Sequence, residues 1–144
     1  MSMASLIMLI PKEDHVTRFH SKLHYDSGTE EVLPEAFKLR ENEDYVSCAW
    51  VEHHNNKQED DEKRDITRIL SKGKPYPNGI RPGAYSTLKV ETIYNIAQNI
   101  NEEIKVTHEP SEGALSHAGI YHSDNVRLLR DLAREATKHC KKYP

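Results

Sequence analysis

The sequence predicts an α+β domain: a mixed or antiparallel sheet with a C-terminal amphipathic helix packed on it. Three observations lead there. YVSCAWV, residues 45–51, is rich in aromatic and β-branched residues and reads as a strand. SDNVRLLRDLAREATKHCKKY, residues 123–143, spaces its apolar residues as a helix does. Between these two, short apolar runs alternate with turn residues, and no internal repeat occurs. The chain has 144 residues, which suits one domain over 1–144 with a core that needs neither disulfide nor metal.

The elements follow in order. SLIMLI, residues 5–10, reads as a buried strand stopped by Pro11. In EDHVTRFHSKLHY, Val16, Phe19 and Leu23 have helical spacing, but a strand around Val16 to His20 fits equally. DSGTEE is a turn. In the strand at 45–51, Val46, Cys48 and Trp50 face one way, and Tyr45, Ser47, Ala49 and Val51 the other. HHNNKQEDDEKRD, about residues 53–65, has no apolar anchor and is expected to be a mobile polar segment. A short helix over Ile66–Leu70, ending near Gly73, and a proline-rich loop follow. Tyr85 to Val90 alternates as a strand, and Ile93, Ile96, Ala97 and Ile100 then continue as a helix that Thr92 is placed to cap. EIKVTHE and SHAGIY are short strands. In the last helix, Ser123 or Asp124 is the expected cap. Val126, Leu129, Leu132, Ala133 and Ala136 form its inner face, and Lys138, His139, Lys141 and Lys142 suit its C-terminal dipole.

Composition narrows the function classes. The net charge is −3, so no generally basic surface is expected. Cys48 and Cys140 are far apart and in no CxxC arrangement, which argues against a secreted disulfide framework and for a cytoplasmic chain. The N-terminal run lacks the charged start and length of a signal peptide, and nothing approaches a membrane helix.

No phosphate loop, GxGxxG or GxSxG motif occurs. The nine histidines are therefore the main chemical signal. His20 and His24 would share a helix face, but without the HExxH pattern of a metalloprotease. His117 and His122 flank the apolar run AGIY and suit opposite faces of a strand. No metal and no cofactor is expected. Cys48 lies with Val46 and Trp50, which marks it as core rather than as a nucleophile. The acidic run at 59–62 reads as a solvated loop. The basic residues of the last helix are interleaved with Asp131 and Glu135, as on a solvated surface.

Across residues 16–136 the chain resembles a group of small bacterial proteins of unknown function. The matching positions are Arg18 and His20, Ala36 and Phe37, Val46 and Ser47, Gly83 and Val90, and His117 with Ala118. The group's pattern has an Arg-His pair, whereas Phe19 separates Arg18 from His20 here. The resemblance implies no activity. It nominates His117, His20, Arg18 and Ser47 as candidate catalytic residues, because these polar groups stand where a fold alone would not require them. Arg18 would hold a phosphate and a histidine would act as acid or base. Arg18 with Ser47 also loosely echoes ADP-ribosyltransferase-like folds, although no catalytic glutamate can be placed. The same four residues would otherwise form a polar network that ties strands together without a ligand.

Three functions are therefore expected in descending order. The first is a protein-binding module: an antitoxin, an immunity protein or an accessory subunit of a defence or mobile-element system, with another protein as partner. The second is an enzyme acting on a phosphate-bearing or nucleotide substrate. Direct nucleic-acid binding is third, and no membrane partner is expected.

Overall fold

The computed structural model describes residues 8–53, 83–111 and 115–143. The polar segment after His53, the acidic run at 59–62, the short helix near 66–73 and the proline-rich loop lie outside the described residues. The strands are β1 (Met8–Leu9), β2 (His15–His20), β3 (Tyr25–Asp26), β4 (Glu31–Val32), β5 (Val46–Trp50), β6 (Gly83–Lys89), β7 (Lys105–His108), β8 (His117–Tyr121) and β9 (Cys140–Tyr143). Among the described residues the α-helices are α1 (Val90–Gln98) and α2 (Val126–Lys138). A 3-10 turn, Pro34–Phe37, precedes β5. Seven strands form one antiparallel sheet in the order β1-β7-β8-β5-β2-β6-β9, and β3 pairs with β4 in a separate hairpin. The fold is α+β, as the sequence predicts.

Residues paired across an antiparallel ladder share a face of the sheet. Val16 is opposite Trp50 and Leu88, Val46 opposite Ile120, Cys48 opposite Ala118, and Val106 opposite Ile120. These side chains form the inner face. The core joins them to Ile93 and Ala97 of α1 and to Leu128, Leu132 and Ala136 of α2. Helix α2 also packs on the Pro34–Phe37 turn, and Val32 N–H donates to Thr137 Oγ1 at 2.9 Å. The opposite face carries Thr17, Phe19, Ser47, Tyr85, Thr107, His117 and Tyr121.

Several local expectations are corrected by tertiary bonding. Between helix and strand, the two readings residues 15–20 allowed, β2 is the strand, paired with β6 along its whole length. The described end of the first run is a short edge strand, not a buried one; Met8 and Leu9 are each 55% exposed, and among the described residues of the run only Ile10 turns into the core. Thr92 does not cap α1, because the first turn is capped by backbone. Val90 N–H donates to Asp14 O at 2.9 Å and Glu91 N–H to Lys12 O at 3.0 Å, so two of the free amides of the first turn are already satisfied. In α2 the cap is Asn125, whose Oδ1 accepts from Arg127 N–H at 2.9 Å and Leu128 N–H at 3.1 Å. Asp124 is engaged elsewhere, accepting from Leu39 N–H. Val126 is 72% exposed, and Leu128 takes the inner position expected of it. Helix α2 stops at Lys138, and residues 140–143 become β9 along the edge of β6. Lys141 and Lys142 are therefore strand residues and take no part in a helix dipole.

Candidate functional site

Strand parity divides the four nominated residues. Arg18 and His20 alternate with Val16 on the inner face, whereas Ser47 and His117 alternate on the outer face. The sheet therefore separates the side chains into two pairs. Only the backbone of Ser47 joins the inner group.

Arg18 sits where β2 and β5 diverge. Its Nε donates to Ala36 O at 2.7 Å and its Nη1 to Ser47 O. His122 Nε2 donates to Phe37 O at 2.7 Å, and Leu39 N–H donates to Asp124 Oδ1 at 2.9 Å. Three side chains thus clamp backbone groups at the end of the 3-10 turn, Ala36 O and Phe37 O, and just after it, Leu39 N–H. This solves a packing problem: carbonyls buried outside the ladder need donors. Burial pulls the Arg18 pKa down to about 10, which leaves it a cation at neutral pH. His122 Nδ1 accepts from Asp124 N–H at 3.0 Å, so both ring nitrogens are engaged and the ring is neutral. Burial lowers its pKa, opposed by the bond to Phe37 and by Asp124, with Arg18 adding to the lowering.

His20 is fully buried. Ser86 Oγ–H donates to Ala136 O at 3.0 Å, so Ser86 Oγ accepts from His20 Nε2–H at 2.7 Å. This fixes the Nε2–H tautomer and leaves Nδ1 as a buried acceptor with no partner. Burial, reinforced by Arg18 and then His24, lowers the His20 pKa to about 3. A histidine this hard to protonate is a poor general acid at neutral pH. It ties β2, β6 and the end of α2 together. His24 follows a turn closed by its own N–H to Ser21 O, so His20 and His24 do not share a helix face. Burial raises the Cys48 thiol to about 12, with Arg18 opposing, which keeps it protonated and unreactive.

The outer pair has a different setting. His117 Nδ1 donates to Glu109 O at 3.0 Å, leaving Nε2 without a hydrogen-bond partner among the described residues. The Tyr45 ring stands 5.8 Å from His117 and 5.2 Å from Tyr121, centroid to centroid. It lies against Gly119, where a Cβ would fall 2.6 Å from Tyr45 Cδ2. Glu109 Oε1 accepts from Tyr121 O–H at 2.7 Å and Thr107 O–H at 2.9 Å. Burial first, then the bond to Glu109, raises the Tyr121 pKa; burial and Glu109 likewise raise that of Tyr45. Tyr45, Glu109, His117 and Tyr121 are half-buried rather than enclosed, whereas Thr107 and Gly119 are buried. Ser47 is opposite Gly119 in register, beneath the same row. The sequence already placed Tyr45 on the face of Ser47. Glu109 escaped notice because it lies just past the end of β7, where its role depends on the neighbouring strand.

A second aromatic group lies at the end of β5, where Trp50, His53 and His108 stand 5.0 to 5.4 Å apart and Trp50 Nε1 donates to Asp14 Oδ2 at 2.9 Å. Among the described residues no group of three or more histidine, cysteine, aspartate or glutamate side chains is placed to hold a metal ion. No helix among them is long and apolar enough to cross a membrane. Comparison of the chain with protein-family models, with curated proteins and with solved structures finds no match, so no residue role is carried over from a relative.

Proposed function

We propose that this chain is a protein-binding module whose partner docks on the outer face of the sheet. The observation that carries the reading is the row of Tyr45, Tyr121 and His117, half-exposed and aligned, on the face away from both helices. Large aromatic side chains anchor interfaces because they combine area with few rotatable bonds. Meanwhile His20, His122 and Cys48, which carry acid–base or nucleophilic chemistry, are turned inward and held in unreactive states. The small size and the net charge of −3 agree with a cytoplasmic antitoxin, immunity protein or accessory subunit of a bacterial defence or mobile-element system. The test is native mass spectrometry of the chain co-expressed with its genomic neighbours. A stoichiometric complex with one neighbour is expected. A bare chain in every combination would overturn the reading.

A second reading is an enzyme on a phosphate-bearing or nucleotide substrate, with His117 as acid or base. It is favoured by the half-buried His117, whose ring is oriented by its bond to Glu109 O and whose Nε2 has no hydrogen-bond partner among the described residues. That reading expects His117→Ala to abolish turnover while leaving the thermal midpoint unchanged.

A further inference from the structure

We infer that the Tyr45–Tyr121–Glu109 cluster is a receptor for a basic side chain, the guanidinium or ammonium of a segment of the partner protein. The inference rests on the protein-binding reading and names the chemistry of that same face.

Two phenol rings 5.2 Å apart present their edges and faces beside a carboxylate. Glu109 is the organising residue. Two hydroxyl donors hold its Oε1, which orients the group, while no hydrogen bond engages Oε2 among the described residues. No lysine or arginine among them is ion-paired with it. A half-buried carboxylate that is oriented yet has no cationic partner among the described residues gains from an incoming cation. The tyrosine rings add the negative face of their quadrupole, and Tyr121 is made more electron-rich by the hydrogen bond its hydroxyl donates to the carboxylate. The surrounding charge has the same sign: Asp44 acts on both phenols, and Glu43 acts on Tyr45.

The opposing group is Lys105, which faces Tyr121 across β7 and β8 and is exposed. The cation–π contact seen among the described residues is Lys12 over Tyr94, so Lys105 does not occupy the tyrosine pair. Gly119 makes the arrangement possible, since any side chain there would push Tyr45 off the sheet. Stacking of a nucleobase on the same rings is disfavoured, because its phosphates would meet Glu109 and Asp44.

The test uses the full chain, isotope-labelled, titrated separately with an octa-arginine peptide, an octa-glutamate peptide and an eight-nucleotide thymidine strand. Saturable shifts confined to Tyr45, Glu109 and residues 117–121 are expected with the arginine peptide only. Glu109→Gln and Tyr45→Leu should each weaken that binding about threefold or more. Their amide spectra report whether each variant keeps the fold, and either folded variant suffices. Absence of saturable shifts, shifts elsewhere, unchanged affinity in the folded variants, or shifts with the thymidine strand instead would overturn the inference. The two readings fail separately. A genomic partner whose complex tolerates both substitutions refutes the cation receptor and keeps the binding module. Arginine-peptide binding at this cluster without any protein partner does the reverse.

Discussion

Acidification from pH 7 to pH 5 should cost the folded state about 2 kcal/mol through His20 alone. In the native protein its pKa is about 3, whereas an unfolded imidazole titrates near its ordinary value of 6.5. Between those values the unfolded chain binds a proton that the native chain refuses. Stability therefore rises with pH across this window and falls as the pH drops below about 6.5, levelling off near the native value. The cause is geometric. His20 Nε2–H is committed to Ser86, and a proton on Nδ1 would sit in a fully buried place with no acceptor, beside the Arg18 cation. His122 contributes with the same sign. The assay is urea denaturation of the wild type and His20→Gln at pH 7 and pH 5. Carboxylates common to both proteins cancel in the comparison, so the wild type should lose about 2 kcal/mol more than the variant. Nitrogen chemical shifts of the His20 ring give a readout independent of the variant: the Nε2–H tautomer should persist to pH 5. Parallel pH dependence in the two proteins, or a His20 ring that titrates near 6.5, would refute the buried neutral histidine.

Arg18→Lys should destabilise the fold by about 3 kcal/mol in urea, since an ammonium cannot reach both Ala36 O and Ser47 O from one plane; a loss under 1 kcal/mol would count against the clamp. Leu128→Ala should cost about 3 kcal/mol, and Val126→Ala nearly nothing, because the first is buried in the core and the second is exposed. Gly119→Ala should displace the Tyr45 ring, seen as shifted ring resonances and lost arginine-peptide binding; unchanged resonances would show that the ring does not rest on Gly119. In the native protein a thiol reagent at pH 8 should spare Cys48 entirely and label it only after denaturation, given a thiol pushed up to about 12.

How much was readable in advance depended on the range of the physics involved. Alternation at 45–51 and the apolar spacing in 126–136 are local signals, and they marked β5 and α2. The same alternation placed Tyr45 with Ser47 and Cys48 with Trp50, which the ladders bear out. Capping was not readable, although the right residue types were present. Ser123, Asp124 and Asn125 are all competent caps, and the choice fell to Asn125 while Asp124 is drawn to Leu39 N–H. The end of α2 was not readable either, since HCKKY continues a helix as readily as a strand until the edge of β6 is beside it.

The sequence alone was enough for the class of fold and for the two faces of the strand at 45–51. Only the tertiary structure decided which of the nominated polar residues meet. Parity sent Arg18 and His20 inward and His117 and Ser47 outward, but their partners come from other strands and turns: Ala36 O for Arg18, Ser86 for His20 and Glu109 O for His117. Periodicity is carried by neighbours in sequence. The pairing of a buried donor with its acceptor is set by whichever unsatisfied group the packed sheet brings within about 3 Å.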